Sequence, residues 1–184
     1  MSSDKTTYGG AAPKAAQLAG EASIGALWQD IEAFYRRETM LLQDRRYREW
    51  LEIMDDAIAY RVPVTTSTLD GLVTHDDDLG YYDENLELLR ARVAKLESKQ
   101  SWVEQPPSRL RYFIQLIDVA SQSDGFFVAR SNLLLLQHRW NLDQQFSGER
   151  RDTLISTGDG FRLRSRVVML DRQELGNQGL SVFF

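Results

Sequence analysis

The densest group of chemistry-bearing side chains in this 184-residue chain is His75-Asp76-Asp77-Asp78. Imidazole and carboxylates are metal ligands, yet four consecutive residues cannot all converge on one ion, and the run lacks the alternation and glycine of a calcium loop. A solvated acidic loop is the better reading. The other histidine, His138, sits beside Arg139 and Trp140 on an expected strand, where hydrogen bonding within the fold is commoner than ligation. A facial iron triad would need both histidines plus a carboxylate, and no motif links them. With no cysteine in the chain, a Rieske centre, a thiolate zinc site, a cysteine nucleophile and a disulfide framework are excluded. Gly9-Gly10 and Gly158-x-Gly160 do not form phosphate loops, and no GxSxG elbow occurs. One enzyme-like set remains. Asp55, Asp56, Tyr60, His75 and Asp118 could furnish acid, base and hydroxyl groups inside the apolar cavity of a small cone-shaped fold, as an isomerase or dehydratase would use them. No pair among them has a diagnostic spacing, and a cone filled by Phe, Leu and Tyr is preferred. We therefore expect no catalytic, cofactor-binding or metal-binding residue in this chain.

The elements that would position these residues fall into two blocks. Ser23 is a plausible N-cap for a helix reaching about Asp44, with Leu27, Ile31, Phe34, Leu41 and Leu42 on one stripe. Glu38 falls on that stripe, so its carboxylate must snorkel out or pair inside; we expect an arginine partner within the fold. A short helix over Tyr47 to Met54 and a strand over Asp56 to Val62, ended by Pro63, come next. Val64 to Tyr82 reads as a long irregular loop. Asp83 is then expected to cap a helix carrying Leu86, Leu89, Val93 and Leu96 at three- and four-residue spacing. After Pro106-Pro107, four segments near 108–121, 126–141, 144–157 and 160–171 are rich in β-branched, aromatic and arginine residues. Ser123-Asp124-Gly125, Asn141-Leu142-Asp143 and Gly158-Asp159-Gly160 separate them as turns. Helices followed by a meander of long strands is an α+β layout: a cystatin-like cone in which a long, curved, mostly antiparallel sheet wraps around the N-terminal helices. The expected organisation is a flexible arm over residues 1–22 and a single domain over 23–184.

Hydrophobic content of 42% and charged content of 27% suit a soluble globular domain. A net charge of −5 argues against a nucleic-acid partner. The first 22 residues lack the apolar stretch of a signal peptide, and the run Leu133 to Leu136 is too short to span a bilayer. A cytoplasmic protein without a membrane partner is expected. Basic residues comprise 18 Arg against 4 Lys. Arginine is favoured at interfaces and in bidentate pairing, although a GC-rich genome explains the bias equally well.

Six ordered blocks carry a resemblance. They are FYRRETMLLQDRRYREWLEIM at 34–54, YRVPV at 60–64, PPSRLRYFIQLI at 106–117, FFVARSNLLL at 126–135, FSGERRDTL at 146–154 and a final RVVMLDRQELGNQGLSVFF. Over about Trp28 to Phe184 the chain resembles the small (β) subunit of bacterial aromatic-ring-hydroxylating dioxygenases. That resemblance implies a curved sheet with helices in its concavity and a mushroom-shaped α3β3 hexamer with three β subunits as the stem. It also implies a structural role for β. In such a complex the α subunit holds a Rieske [2Fe-2S] cluster and a mononuclear Fe(II), and forms a cis-dihydrodiol from an aromatic ring and O2. Electrons come from NADH through a reductase and usually a ferredoxin. Arg150, Arg151 and Asp152 are then candidates for ion pairs that fix strand register or subunit contacts, with pairing inside the chain an equal alternative. Phe183 and Phe184 are costly to leave in water, so a buried or interfacial C-terminal segment is expected. A stand-alone cone-fold isomerase or dehydratase, or a ligand-binding dimer, is the competing reading.

Overall fold

The computed structural model describes residues 14–64, 66–68, 71–73, 80–98, 107–122, 125–140, 142–172 and 181–184. The acidic run His75 to Asp78 and most of the expected arm lie outside the described residues. Helix α1 covers Lys14–Gln43. It therefore begins nine residues before Ser23, which lies inside the helix and does not cap it. The cause is the alanine-rich stretch AAQLAGEA at 15–22, whose residues are mostly strong helix formers. Ile31, Phe34, Tyr35, Glu38, Leu41 and Leu42 are all buried on one face of α1, at the three- and four-residue steps of a helical stripe. The helix ends in a Schellman arrangement. Arg45 adopts a positive φ of 58°, and Arg46 N donates to Leu41 O at 2.8 Å while Arg45 N donates to Leu42 O at 3.2 Å.

A short helix α2 (Tyr47–Glu52) leads into strand β1 (Met54–Val62). The region expected to be an irregular loop holds a two-stranded hairpin, β2 (Thr66–Thr68) and β3 (Gly71–Val73), and a short strand β4 (Tyr82–Glu84). Helix α3 (Leu86–Glu97) is capped by Asn85, whose side chain accepts from Leu88 N at 3.0 Å. Asp83, the expected cap, is instead a residue of β4, because β1 captures that segment in register (Tyr60 opposite Glu84, Val62 opposite Tyr82) and delays the helix by two residues.

Four long strands follow: β5 (Arg109–Ser121), β6 (Phe126–Arg139), β7 (Leu142–Thr157) and β8 (Gly160–Leu170). The two-residue turn between β7 and β8 is close to the expected one. Thr157 pairs with Gly160 across Gly158-Asp159, and the positive φ of 127° at Gly160 is one that glycine tolerates. The β6–β7 turn begins at Trp140, leaving Leu142 and Asp143 already in β7.

The main sheet has the order β4-β1-β8-β7-β6-β5. Every described neighbour pair in it is antiparallel except β1 with β8, which is parallel. Helix α1 lies against β5 and β8, and α3 against β1. This is the α+β cone expected from the segment order, with its apolar core between the helices and the concave face of the sheet. Residues 181–184 run into that core.

Candidate functional site

Four charged side chains meet in the interior, each at most 1% exposed: Glu38 from α1, Arg150 and Asp152 from β7, and Arg166 from β8. The pleat explains the choice. Arg150 and Asp152 are two residues apart and so face the same side of β7, while Arg151 between them points outward. Asp152 is the direct cross-strand partner of Arg166, and Arg166 in turn neighbours Tyr60 on β1. Helix α1 lays Glu38 over this row.

All five N–H donors of the Arg166 guanidinium are used. Nε and Nη2 grip Asp152 at 2.9 and 2.7 Å, Nη1 and Nη2 grip Glu38 at 2.6 and 3.1 Å, and Nη1 also donates to Phe184 O at 2.9 Å. Tyr35 OH donates to Asp152 Oδ2 at 2.8 Å and Trp50 Nε1 donates to Glu38 Oε1 at 3.2 Å. Arg150 Nη2 stands 3.2 Å from Glu38 Oε2, close enough for attraction but not aligned as a hydrogen bond. Burial by itself would push the Glu38 carboxyl up. The Arg150 and Arg166 charges and the hydrogen bonds from Arg166 and Trp50 outweigh it and hold the group down at about 2.

A second layer clasps the tail. Tyr82 OH donates to Val182 O at 2.9 Å, Tyr112 OH to Phe183 O at 2.7 Å, and Tyr60 OH to Phe184 O at 2.5 Å. Tyr60 oxygen also accepts from Phe184 N at 2.7 Å. Phe183 packs on Trp50 with ring centroids 4.4 Å apart, and Phe184 meets Phe146 edge-on at 5.3 Å. Phe183 and Phe184 are 1% and 0% exposed within the single chain.

This constellation is a set of internal ion pairs and hydrogen bonds. The Glu38 carboxyl stays ionised, and both carboxylates are committed to guanidiniums. Burial pushes the Tyr60 hydroxyl up to about 12 and raises Tyr35, Tyr82 and Tyr112 as well, which keeps them neutral hydrogen-bond donors. The described members of the enzyme-like set do not converge. Asp55 is drawn outward to Arg164 Nη1 at 2.5 Å, Asp56 and Asp118 are exposed on β1 and β5, Tyr60 is sealed against the tail, and His75 is outside the described residues. His138 faces Asp143 across the end of the β6–β7 hairpin, Nδ1 to Oδ1 2.6 Å. Among the described residues no three of His, Cys, Asp and Glu gather where a metal ion could be held. Arg151 lies on the outer face, its Nε 2.8 Å from Glu149 Oε1.

Sequence reasoning named Glu38, Arg150 and Asp152 but missed Arg166. A signal was there: in R-V-V-M-L at 166–170, Arg166 shares its alternation phase with the buried Val168 and Leu170. Grooves on the surface flank α1. One, of about 480 Å³, lies between α1 and β5 and is lined by Tyr35, Met40, Tyr112, Phe113 and Leu116 among others. Another, of about 420 Å³, lies between α1 and the β7–β8 turn.

Residues 37–176, which include Glu38, Arg150, Asp152 and Arg166, match the family described as the ring hydroxylating beta subunit. The chain belongs to that family. The β subunit of biphenyl 2,3-dioxygenase from Rhodococcus jostii (strain RHA1) is 32% identical over 169 residues, spanning 86% of this chain and 89% of that protein. The β subunit of benzene 1,2-dioxygenase from Pseudomonas putida is 30% identical over 168 residues, with the same coverage of 86% and 89%. Among solved structures, a chain of naphthalene 1,2-dioxygenase with indole bound in its active site superimposes with a TM-score of 0.77 at 26% identity, covering 87% of this chain and 86% of that one.

Proposed function

We propose that this chain is the structural β subunit of an α3β3 terminal oxygenase that adds both atoms of O2 to an aromatic ring, forming a cis-dihydrodiol in aromatic hydrocarbon catabolism. It is a non-catalytic component of an NADH-dependent oxidoreductase. The α subunit carries the Rieske [2Fe-2S] cluster and the mononuclear Fe(II), and a ferredoxin or reductase delivers electrons to the assembled complex. The complex works in the cytoplasm, free of nucleic acid and membrane.

Membership of the ring-hydroxylating β-subunit family carries this reading, supported by relatives named for biphenyl and benzene dioxygenases. The distribution of side chains supports it too. Glu38, Asp152 and Arg166 pair with one another inside the fold, and among the described residues no helix is long and apolar enough to cross a membrane. Meanwhile the outer face of the sheet carries Phe113 and Ile117, with Trp140 at a hairpin tip, and exposed apolar side chains of this kind suit subunit contacts.

The test is an affinity pull-down of the tagged chain from its native host, with native mass, iron and acid-labile sulfide measured on the product. Equimolar recovery with a larger iron–sulfur protein is the expected outcome. Recovery of a lone metal-free dimer would overturn the scaffold role and return attention to the isomerase, dehydratase or ligand-binding reading.

A further inference from the structure

The two buried arginines are not equally satisfied. Where Arg166 uses every donor, the Nε, Nη1 and Nη2 atoms of Arg150 have no hydrogen-bond partner, and neither does the Oγ of Ser131. These orphans are neighbours. Ser131 on β6 is the cross-strand partner of Arg150 on β7, both facing inward, and both are at most 1% exposed. Buried donors and acceptors in folded proteins are almost always paired, with protein atoms or with ordered solvent, and a bare guanidinium is among the costliest exceptions.

We propose that Ser131 and Arg150 form an internal binding site for a neutral, water-sized polar guest, one or two water molecules held between β6 and β7 beneath α1. Charge selects a neutral guest: Glu38 and Asp152 already balance Arg150 and Arg166, so an anion would leave the buried cluster with a net charge. Chemistry selects water, which can accept from the guanidinium and donate to the serine hydroxyl at once. The side chains of β6 at this place are small. Ala129 and Ser131 succeed one another on the inner face of β6, opposite Asp152 and Arg150. Leu116, the other cross-strand partner of Ser131, lines the groove between α1 and β5 together with Tyr35. The site belongs to this chain alone and stands whether or not the assembly reading holds.

Crystals of the full-length chain in its assembled form, at a resolution that shows ordered solvent, provide the first readout. Density is expected within about 3 Å of both Ser131 Oγ and a guanidinium nitrogen of Arg150. Thermal unfolding of Ser131→Ala provides the second. Removing a partner of a bound water lowers Tm by about 2–4 °C, whereas removing a truly unpartnered buried hydroxyl leaves Tm unchanged or raises it. A dry site, an unchanged or raised Tm, or an anomalous peak at this position after a bromide soak would each overturn the proposal.

Discussion

Glu38 and Arg166 show how a charge survives inside an apolar core. The carboxylate gains two guanidiniums and an indole N–H in place of water, and its low pKa records that the exchange favours the ionised form. For a carboxyl held down at about 2 against an ordinary 4.5, the stabilisation is complete above about pH 4.5 and is lost as pH falls through about 2. At neutral pH the linkage contributes on the order of 3 kcal/mol. Glu38→Gln is expected to destabilise the fold by about 3–5 kcal/mol at pH 7, because it leaves a buried guanidinium uncompensated. In urea titrations the gap between the wild type and the variant should shrink as pH falls from about 4.5 towards 2. A gap independent of pH would show that Glu38 does not carry the acid sensitivity.

At the scale of elements, close backbone approach and irregularities in the strands decide which side chains point inward. Gly148 on β7 is one such approach. A Cβ built there would lie 2.2 Å from Met169 O and 2.9 Å from Leu170 Cα on β8, and backbone atoms cannot rotate away. Gly148→Ala is therefore expected to cost about 1–3 kcal/mol and to raise amide hydrogen exchange along β7 and β8. Helix α3 depends on a milder device. Loss of the Asn85 cap in Asn85→Ala should cost about 1 kcal/mol, seen as a small fall in the urea midpoint without a change in slope. An irregularity near Arg164 shifts the β7–β8 register between Thr153 and Leu154. Leu163 and Arg166, three apart, are thereby both buried, and Arg164 is released to meet Asp55.

For the whole molecule the tail links the layers. Residues 182–184 accept hydrogen bonds from tyrosines on β4, β5 and β1 in turn, and their aromatic rings fill the space between α2 and the sheet. Phe183→Ala is expected to cost about 3–5 kcal/mol, measured by chemical denaturation of the isolated chain. Removing Val182 to Phe184 should lower the Tm of the isolated chain before any effect on assembly is seen. A truncated chain of unaltered Tm that nevertheless failed to join its partners would instead make the tail an assembly element.

Much of this molecule was legible in the chain itself, since periodicity is a local property. The apolar stripe of α1, the four long strands and the turn at Gly158-Asp159-Gly160 all follow from steps of two, three or four residues. Glu38 on an apolar stripe announced a buried partner without naming it. The partner needed tertiary structure, because Arg166 lies 128 residues away and is brought over by the β7–β8 pairing. The same holds for the parallel β1–β8 contact, for the strand at Tyr82–Glu84 that displaced the expected cap from Asp83 to Asn85, and for burial of Phe183 and Phe184 within their own chain. Register shifts, long-range pairing and competition between a strand and a helix for the same residues are settled by the summed free energy of the packed core, which no local window of sequence contains.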